Sequence, residues 1–253
     1  MKLKQLLQLA TKISDEKNIT TPFLCGGVCR DKYMNKLDNV SDIDITTGDK
    51  TVNFLAKELQ IELAKKYNVI YKTMNDGHSS IYIGSLKLDF SSNFNAPNIN
   101  SLLLKKGIKH PTSMQKELYS RDFTCNALLM SLDLTKIIDP TYKGFEDINN
   151  KIIKTCLDPQ ITLTTNKNRV VRAIYLAAKL DFDVDESIIQ WVSKNPDSIR
   201  LSEDKSLTEK LNKAMDYDAD KTVYLLDKMK LWNYIPISEK LYPYYVKRST
   251  NVK

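Results

Sequence analysis

Two observations predict an α+β protein with a head built around a small mixed sheet and an all-helical second unit after it. Short alternating apolar runs, punctuated by glycine, share the first 90 residues with two amphipathic helical patterns. After about Asn166 the apolar residues recur only at helical spacing. The change of period sets the expected domains at 1–160 and 161–253.

In chain order, Leu3, Leu6, Leu7, Ala10 and Ile13 share one helical face and open the molecule with an amphipathic helix. Pro22-Phe23-Leu24-Cys25 then runs into Gly26-Gly27, a strand entering a tight turn, and Val28 to Met34 begins a helix. Ser41 to Thr47 alternates as a half-exposed strand does. Val52, Leu55, Ala56, Leu59 and Leu63 mark a second amphipathic helix. Val69 to Met74, Ser80 to Gly84 and Leu86 to Phe90 read as strands, the last two joined by a tight hairpin. Ser91 to Gln115 is polar, rich in Asn and Ser and without a period, and is expected to be irregular. From Phe123 the pattern reads as helical again, interrupted by a strand-like Lys136-Ile137-Ile138 and a turn around Pro140 and Gly144. Helices follow around Val170 to Ala178, Ile188 to Val192, Leu207 to Met215 and Val223 to Leu226.

A length of 253 residues suits one or two domains, and 42% hydrophobic residues suffice for a core, which excludes wholesale disorder. No stretch approaches the roughly 18 apolar residues of a membrane span, and the N-terminus is amphipathic rather than a secretory signal. An intracellular, cytoplasmic protein without a membrane partner is the expectation. Thirty-eight Lys and Arg against 31 Asp and Glu give a net charge of +7. That excess suits a polyanion, nucleic acid or nucleotide, although it also serves solubility. Cys25, Cys29, Cys125 and Cys156, with only His78 and His110, make no zinc spacing. They read as buried thiols in a reducing compartment.

The chemistry centres on Asp42-Ile43-Asp44. Residues i and i+2 of a strand share a face, so the two carboxylates project together while Ile43 and Ile45 point to the core. Paired like charges repel unless a cation sits between them, and Mg²⁺ is the natural hard partner for oxygen ligands. By itself an Asp-x-Asp strand is more often a solvated edge. Upstream, however, Gly26-Gly27 lets backbone N–H groups approach a phosphate, and Arg30 follows one turn later. Asp31 is placed to orient a ribose or to brace the arginine. Asp89 is the acid of the hairpin strand Leu86–Phe90: either a third carboxylate that takes a proton or completes coordination, or an ordinary exposed strand acid.

With these residues in view, the sequence resembles a known family. Leu24-Cys25-Gly26-Gly27-Val28-Cys29-Arg30-Asp31 with Ser41-Asp42-Ile43-Asp44-Ile45-Thr46-Thr47 is similar to the first motif of the class II nucleotidyltransferases. These are the tRNA CCA-adding enzymes and bacterial poly(A) polymerases of the polymerase-β-like superfamily. Ser120 to Leu128 resembles the family's Arg-Arg-Asp-Phe-Thr-x-Asn-Ala segment. Asp139-Pro140, Gly144 and Asp147-Ile148 resemble the link between head and neck, and Asn168 to Tyr175 resembles the helix carrying the base-reading residues.

The resemblance implies a polymerase-β-like head, with Asp42 and Asp44 as metal ligands and Gly26, Gly27 and Arg30 at the nucleotide phosphates. It implies that Arg121, with Asp122 and Asn126, holds triphosphate and ribose, and that Asn166, Arg169 and Arg172 meet the base. Several positions depart from the family. Its Glu-Asp pair is Thr165-Asn166 here, a third helix arginine is Tyr175, and the doubled arginine is Ser120-Arg121. The stretch after the third acid is Ser91-Ser92-Asn93-Phe94, without the family's arginine. Asn166 can donate as well as accept, so base discrimination is expected to loosen.

The function so implied is template-independent, Mg²⁺-dependent addition of nucleotides to an RNA 3′ end. The first expectation is CCA, or part of it, added to tRNA from CTP and ATP with release of pyrophosphate. Poly(A) addition is the alternative within the class, and a non-catalytic RNA-binding relative the alternative outside it. For this family, 253 residues amounts to head and neck, and oligomeric state stays open. Lys240, Lys247, Arg248 and Lys253 with Tyr242, Tyr244 and Tyr245 suit either single-stranded RNA contact or ordinary packing.

Overall fold

The structure, a computed structural model, describes residues 3–37, 40–74, 77–91, 95–199 and 205–250. The chain divides into two compact units, Met1–Phe145 and Glu146–Lys253.

The first unit opens with helix α1 (Leu3–Glu16), strand β1 (Phe23–Cys25), helix α2 (Gly27–Tyr33) and strand β2 (Asp42–Thr46). Helix α3 (Thr51–Ala64), strands β3 (Ile70–Thr73), β4 (Ser79–Ile83) and β5 (Leu86–Phe90), and helices α4 (Ile99–Lys105) and α5 (Ser113–Tyr119) follow. Strands β6 (Leu129–Ser131) and β7 (Ile137–Ile138) complete a seven-stranded sheet of order β3-β4-β5-β2-β1-β6-β7. Its pairs are antiparallel except β2 with β5, which run parallel because the chain crosses over through α3.

One face of this sheet is a core. Ile43, Ile45, Ile81, Leu88 and Phe90 are fully buried, and α3 lays Leu55, Leu59 and Leu63 over β4 and β5 while packing on α1. Each such side chain contributes roughly 1.5–3 kcal/mol of burial. The alternate residues of β2 and β5 are consequently left on the other face.

The first ninety residues match the sequence expectation closely, whereas two later segments differ from it. The stretch 91–115, expected to be irregular, contains α4, which buries Ile99 and Leu103 four residues apart, and the start of α5. A capping box nucleates α5: Thr112 accepts from the Gln115 N–H, and the Gln115 side chain accepts from the Thr112 N–H. The run after Phe123, expected to be helical, makes one 3-10 turn (Thr124–Asn126) and then β6. An apolar run as short as Ala127 to Met130 carries no period, and pairing with β1 decides it. Gly144 fits where it is because a side chain there would strike Leu128 and the Thr124 carbonyl.

Helix α6 (Gly144–Asn149) leads into the second unit: strand β8 (Ile152–Ile153), helices α7 (Pro159–Thr165) and α8 (Asn168–Leu180), and strand β9 (Asp183–Val184). Helices α9 (Glu186–Lys194), α10 (Lys205–Tyr217), α11 (Ala219–Lys228) and α12 (Tyr242–Thr250) follow. Strands β8 and β9 add a two-stranded parallel ladder to this helical body. Helix α8 is its hub, burying Val170, Val171, Ile174, Ala177 and Ala178, with α10 and α11 against it.

The basic C-terminal segment is tied into this unit. Arg248 pairs with Asp227 and lies 4.6 Å over the Trp232 ring, Trp232 Nε1 donates to Asp227 at 2.6 Å, and Lys240 pairs with Asp216. Lys253 lies outside the described residues. The hydrogen bond from Arg248, ahead of that from Trp232, holds the Asp227 carboxyl below its usual 3.8. A depressed carboxylate stabilises the fold above its unfolded pKa and ceases to as pH falls through the folded value. Acidification below 3.8 is therefore expected to release Arg248 and Trp232 and shift Trp232 emission to the red. Asp227→Asn should show that emission at neutral pH already, and an unshifted spectrum would remove this anchoring role.

Candidate active site

The open face of the sheet carries a row of polar side chains fixed by register. Cys25 of β1 lies opposite Asp44 of β2, Asp44 beside Asp89 of β5, and Asp89 opposite Ser80 of β4. One step along, Asp42 lies beside Lys87. Two-residue periodicity thus puts Asp42, Asp44, Lys87 and Asp89 on one face at the middle of the sheet.

Their environments are graded. The Asp42 side chain is 67% exposed and that of Asp89 only 24%. Ser80 Oγ donates to one oxygen of Asp89 at 2.5 Å, and the Lys87 ammonium pairs with the other. The same ammonium stands 3.7 Å from Asp42. Burial opposes the charge on Lys87, but the hydrogen bond to Asp89 and the charges of Asp89 and Asp42 outweigh it and raise its pKa.

Gly26 shapes the turn beside this row. Its φ of +75° and ψ of −144° belong to glycine, and any Cβ would collide with the Asp44 carboxylate. Lack of a side chain at position 26 is therefore what lets Asp44 lie against the turn. Gly27 follows, and a Cβ there would come within 3.3 Å of the Arg30 guanidinium.

Arg30 is only 3% exposed. Its fork donates to Asp31 at 2.7 and 2.9 Å and to Asn126 Oδ1 at 2.6 Å. Asn126 in turn donates to Asp122 at 3.4 Å, and Asp122 accepts from the Phe123 N–H at 2.7 Å. The sequence places Arg30 at a phosphate; its observed partners make it the centre of a buried network that ties α2 to the Thr124–Asn126 turn. Asp31, Asp122 and Asn126 belong to the same network.

Arg121 is closer to the carboxylate row. It donates to Cys25 Sγ and to Glu117, each at 2.9 Å. Burial works against its charge, while the Glu117 and Asp44 carboxylates and the hydrogen bond to Glu117 favour it, so the guanidinium stays protonated. Its Nε is buried and lacks a hydrogen-bond partner among the described residues. An orphaned cationic donor beside Asp44 fits an anionic ligand. Burial pushes the Cys25 thiol well up and the Cys29 thiol up to about 12, so both stay neutral.

Glu117 is the residue that sequence reasoning missed. It is 3% exposed, accepts from Thr46 at the end of β2 at 2.6 Å and from Arg121, and so joins strand end and arginine through one carboxylate. Its i, i+4 spacing to Arg121 was the available signal. Lys87 was equally visible, two residues before Asp89 on the same strand face.

Asn166, Arg169 and Arg172 belong to the second unit. Asn166 is exposed, and its Oδ1 accepts from the Asn168 N–H at 3.0 Å in an Asx-type turn leading into α8. Arg169 reaches back to the Thr162 carbonyl at 3.0 Å, while Arg172 is on the exposed stripe of α8 with the half-buried Tyr175. Ser92, Asn93 and Phe94 lie outside the described residues.

Among the described residues, no group of three or more His, Cys, Asp or Glu side chains is arranged to hold a metal ion by itself. Asp42 and Asp44 are nevertheless hard oxygen donors on one face, and the Lys87 ammonium drawn towards Asp42 and Asp89 shows that the row attracts a cation. The donor set fits a hard divalent ion that takes its remaining ligands from a bound phosphate.

A carboxylate row at the middle of a mixed sheet, beside a glycine turn and a buried arginine, is the arrangement of a nucleotidyltransferase-type head. Residues 22–154 match the Poly A polymerase head domain, and the chain belongs to that family. Staphylococcus aureus CCA-adding enzyme is 24% identical over 244 residues, covering 94% of this chain and 57% of the relative. The Thermotoga maritima CCA-adding enzyme complexed with tRNA(CCA) matches at TM-score 0.67 and 22% identity, over 91% of this chain and 51% of that one. The Bacillus stearothermophilus CCA-adding enzyme in complex with CTP matches at TM-score 0.69 and 20% identity, over 93% and 55%. At such identities the structural likeness shows the fold. The chain spans about half the length of these relatives. Among the described residues, no helix is long and apolar enough to cross a membrane.

Proposed function

We propose that this chain is an RNA 3′-end nucleotidyltransferase that adds CCA, or part of it, to tRNA from CTP and ATP, releasing pyrophosphate. The observation that carries the reading is the register that sets Asp42, Asp44 and Asp89 on one face beside a Gly26 turn that no other residue fits. The Staphylococcus aureus CCA-adding enzyme, the Thermotoga maritima CCA-adding enzyme complexed with tRNA and the Bacillus stearothermophilus one in complex with CTP support the choice of substrates.

Asp42 and Asp44 would hold Mg²⁺, which supplies an activated hydroxyl nucleophile and charge neutralisation for the departing pyrophosphate. Gly26 lets the Asp44 carboxylate lie against the turn, where the triphosphate would meet the ion. Arg121 offers its orphaned Nε–H and its fixed positive charge to a phosphate oxygen. Asp89 would receive the proton of the attacking 3′-hydroxyl once Lys87 has moved off it. The network of Arg30, Asp31, Asp122 and Asn126 holds the turn in place from behind, and Asn166, Arg169 and Arg172 would meet the base. Work in the cytoplasm accords with neutral, unbridged Cys25 and Cys29.

The test offers the full chain tRNA lacking its 3′ end, tRNA ending in CC and an unstructured RNA, each with Mg²⁺ and single labelled triphosphates. Addition confined to tRNA, C before A, is expected. Long A-tails on any RNA would establish poly(A) addition instead, and RNA binding without incorporation a non-catalytic relative.

Asn166→Asp keeps the acceptor for the Asn168 N–H and restores a group that cannot donate. It is expected to sharpen the preference for CTP and ATP over UTP and GTP by about tenfold, read from incorporation ratios in competition. An unchanged ratio would remove Asn166 from base reading.

A further inference from the structure

We propose that Lys87 is a built-in counter-cation of the carboxylate row, which a divalent ion has to displace, so that the metal binds weakly until a nucleotide arrives with it. The inference rests on Asp42 and Asp44 being the metal ligands. The position of Lys87 is set by the backbone: β5 runs parallel to β2, with Lys87 beside Asp42 and Asp89 beside Asp44. Its ammonium contacts Asp89 and stands 3.7 Å from Asp42, between the outer members of the row. A divalent ion held by Asp42 and Asp44 would lie within a few ångströms of it, and two cations at that separation repel strongly.

The tethered ammonium never leaves the neighbourhood, so it competes at high effective concentration. Protein carboxylates alone do not complete a metal shell here. A triphosphate alters the balance twice, by adding oxygen ligands for the ion and by offering negative charge to the displaced lysine. The flexible four-carbon stem of lysine permits that exchange. Displacement also frees one Asp89 oxygen, so the proposed proton acceptor becomes available only in the loaded state. Arg121 lies on the Cys25 side of Asp44, tied to Glu117 and Cys25, and is not mobile in the same way.

The test measures Mn²⁺ binding to the full chain by electron paramagnetic resonance, without nucleotide and with a non-hydrolysable CTP analogue. Lys87→Met is expected to bind Mn²⁺ about tenfold more tightly than wild type without nucleotide. Lys87→Arg should stay close to wild type, and the analogue should narrow the gap between wild type and Lys87→Met. Lys87→Gln, with melting temperature measured alongside, serves if the methionine variant is poorly folded. Binding by the neutral variants that equals or falls below wild type would overturn the role of Lys87 and leave the proposed function standing. Absence of Mn²⁺ uptake by every form, nucleotide present, would overturn the metal ligands and the proposed function together.

Discussion

Asp44→Asn should lower nucleotide incorporation by at least about a thousandfold while the chain stays folded. Asp44 is the centre of the row, with Cys25 on one side, Asp89 on the other and the Gly26 turn against its carboxylate. The amide is nearly isosteric and retains an oxygen acceptor, but it removes the charge that would hold the ion. A metal contributes several kcal/mol of transition-state stabilisation, and each 1.36 kcal/mol is about tenfold in rate. Loss of one acid among three should shift stability by less than about 1 kcal/mol, since relief of repulsion offsets the weakened attraction to Arg121. Single-turnover incorporation and a melting curve together check it. Retained activity would remove Asp44 from the metal site, and loss of folding would make it a structural acid.

Gly26→Ala is expected to do damage of another kind. At φ +75° and ψ −144° a side chain costs of the order of 1–3 kcal/mol, before its Cβ meets the Asp44 carboxylate. Either the turn or Asp44 has to move. Displacement of a reacting group by about 1 Å costs roughly a hundredfold in rate. The expected result is a melting temperature lower by about 2–10 °C together with at least about a hundredfold loss of incorporation. Substrate affinity should fall less than turnover if Asp44 is what moves. Unchanged melting and activity would mean that the turn is looser than its geometry indicates.

Much of this was legible in the residues, for identifiable reasons. The strand Asp42–Thr46 announces itself by alternation, and α1, α3 and α8 by their apolar stripes, because each buries a single face. The illegible parts are those that tertiary pairing decides. Leu129–Ser131 is a strand because β1 and β7 lie on either side of it, and α4 rests on two apolar residues in a polar stretch. In the candidate site, residue type singles out Asp42, Asp44 and Gly26, which the register brings together, but not what their neighbours do. Arg30 looks like a phosphate ligand in the sequence, and its burial beside Asn126 depends on a contact 96 positions along the chain. Glu117 escaped notice because its partners, Thr46 and Arg121, come from separate elements. Lys87 does not stand out in the sequence, because a lysine near an acid is ordinary until strand register brings a second acid to it.

The Arg30–Asn126 bond bears on how relatives of this protein are to be sorted. An arginine sealed in the interior, with its donors spoken for by Asp31 and Asn126, cannot be exchanged without leaving a charge or an amide stranded. A variant of this chain stripped of activity would still need it, along with the segment around Asn126, to stay folded. Possession of those motifs therefore certifies ancestry rather than turnover. Under the proposed function the carboxylates on the open face are the positions whose loss would abolish turnover while that buried network stays in place.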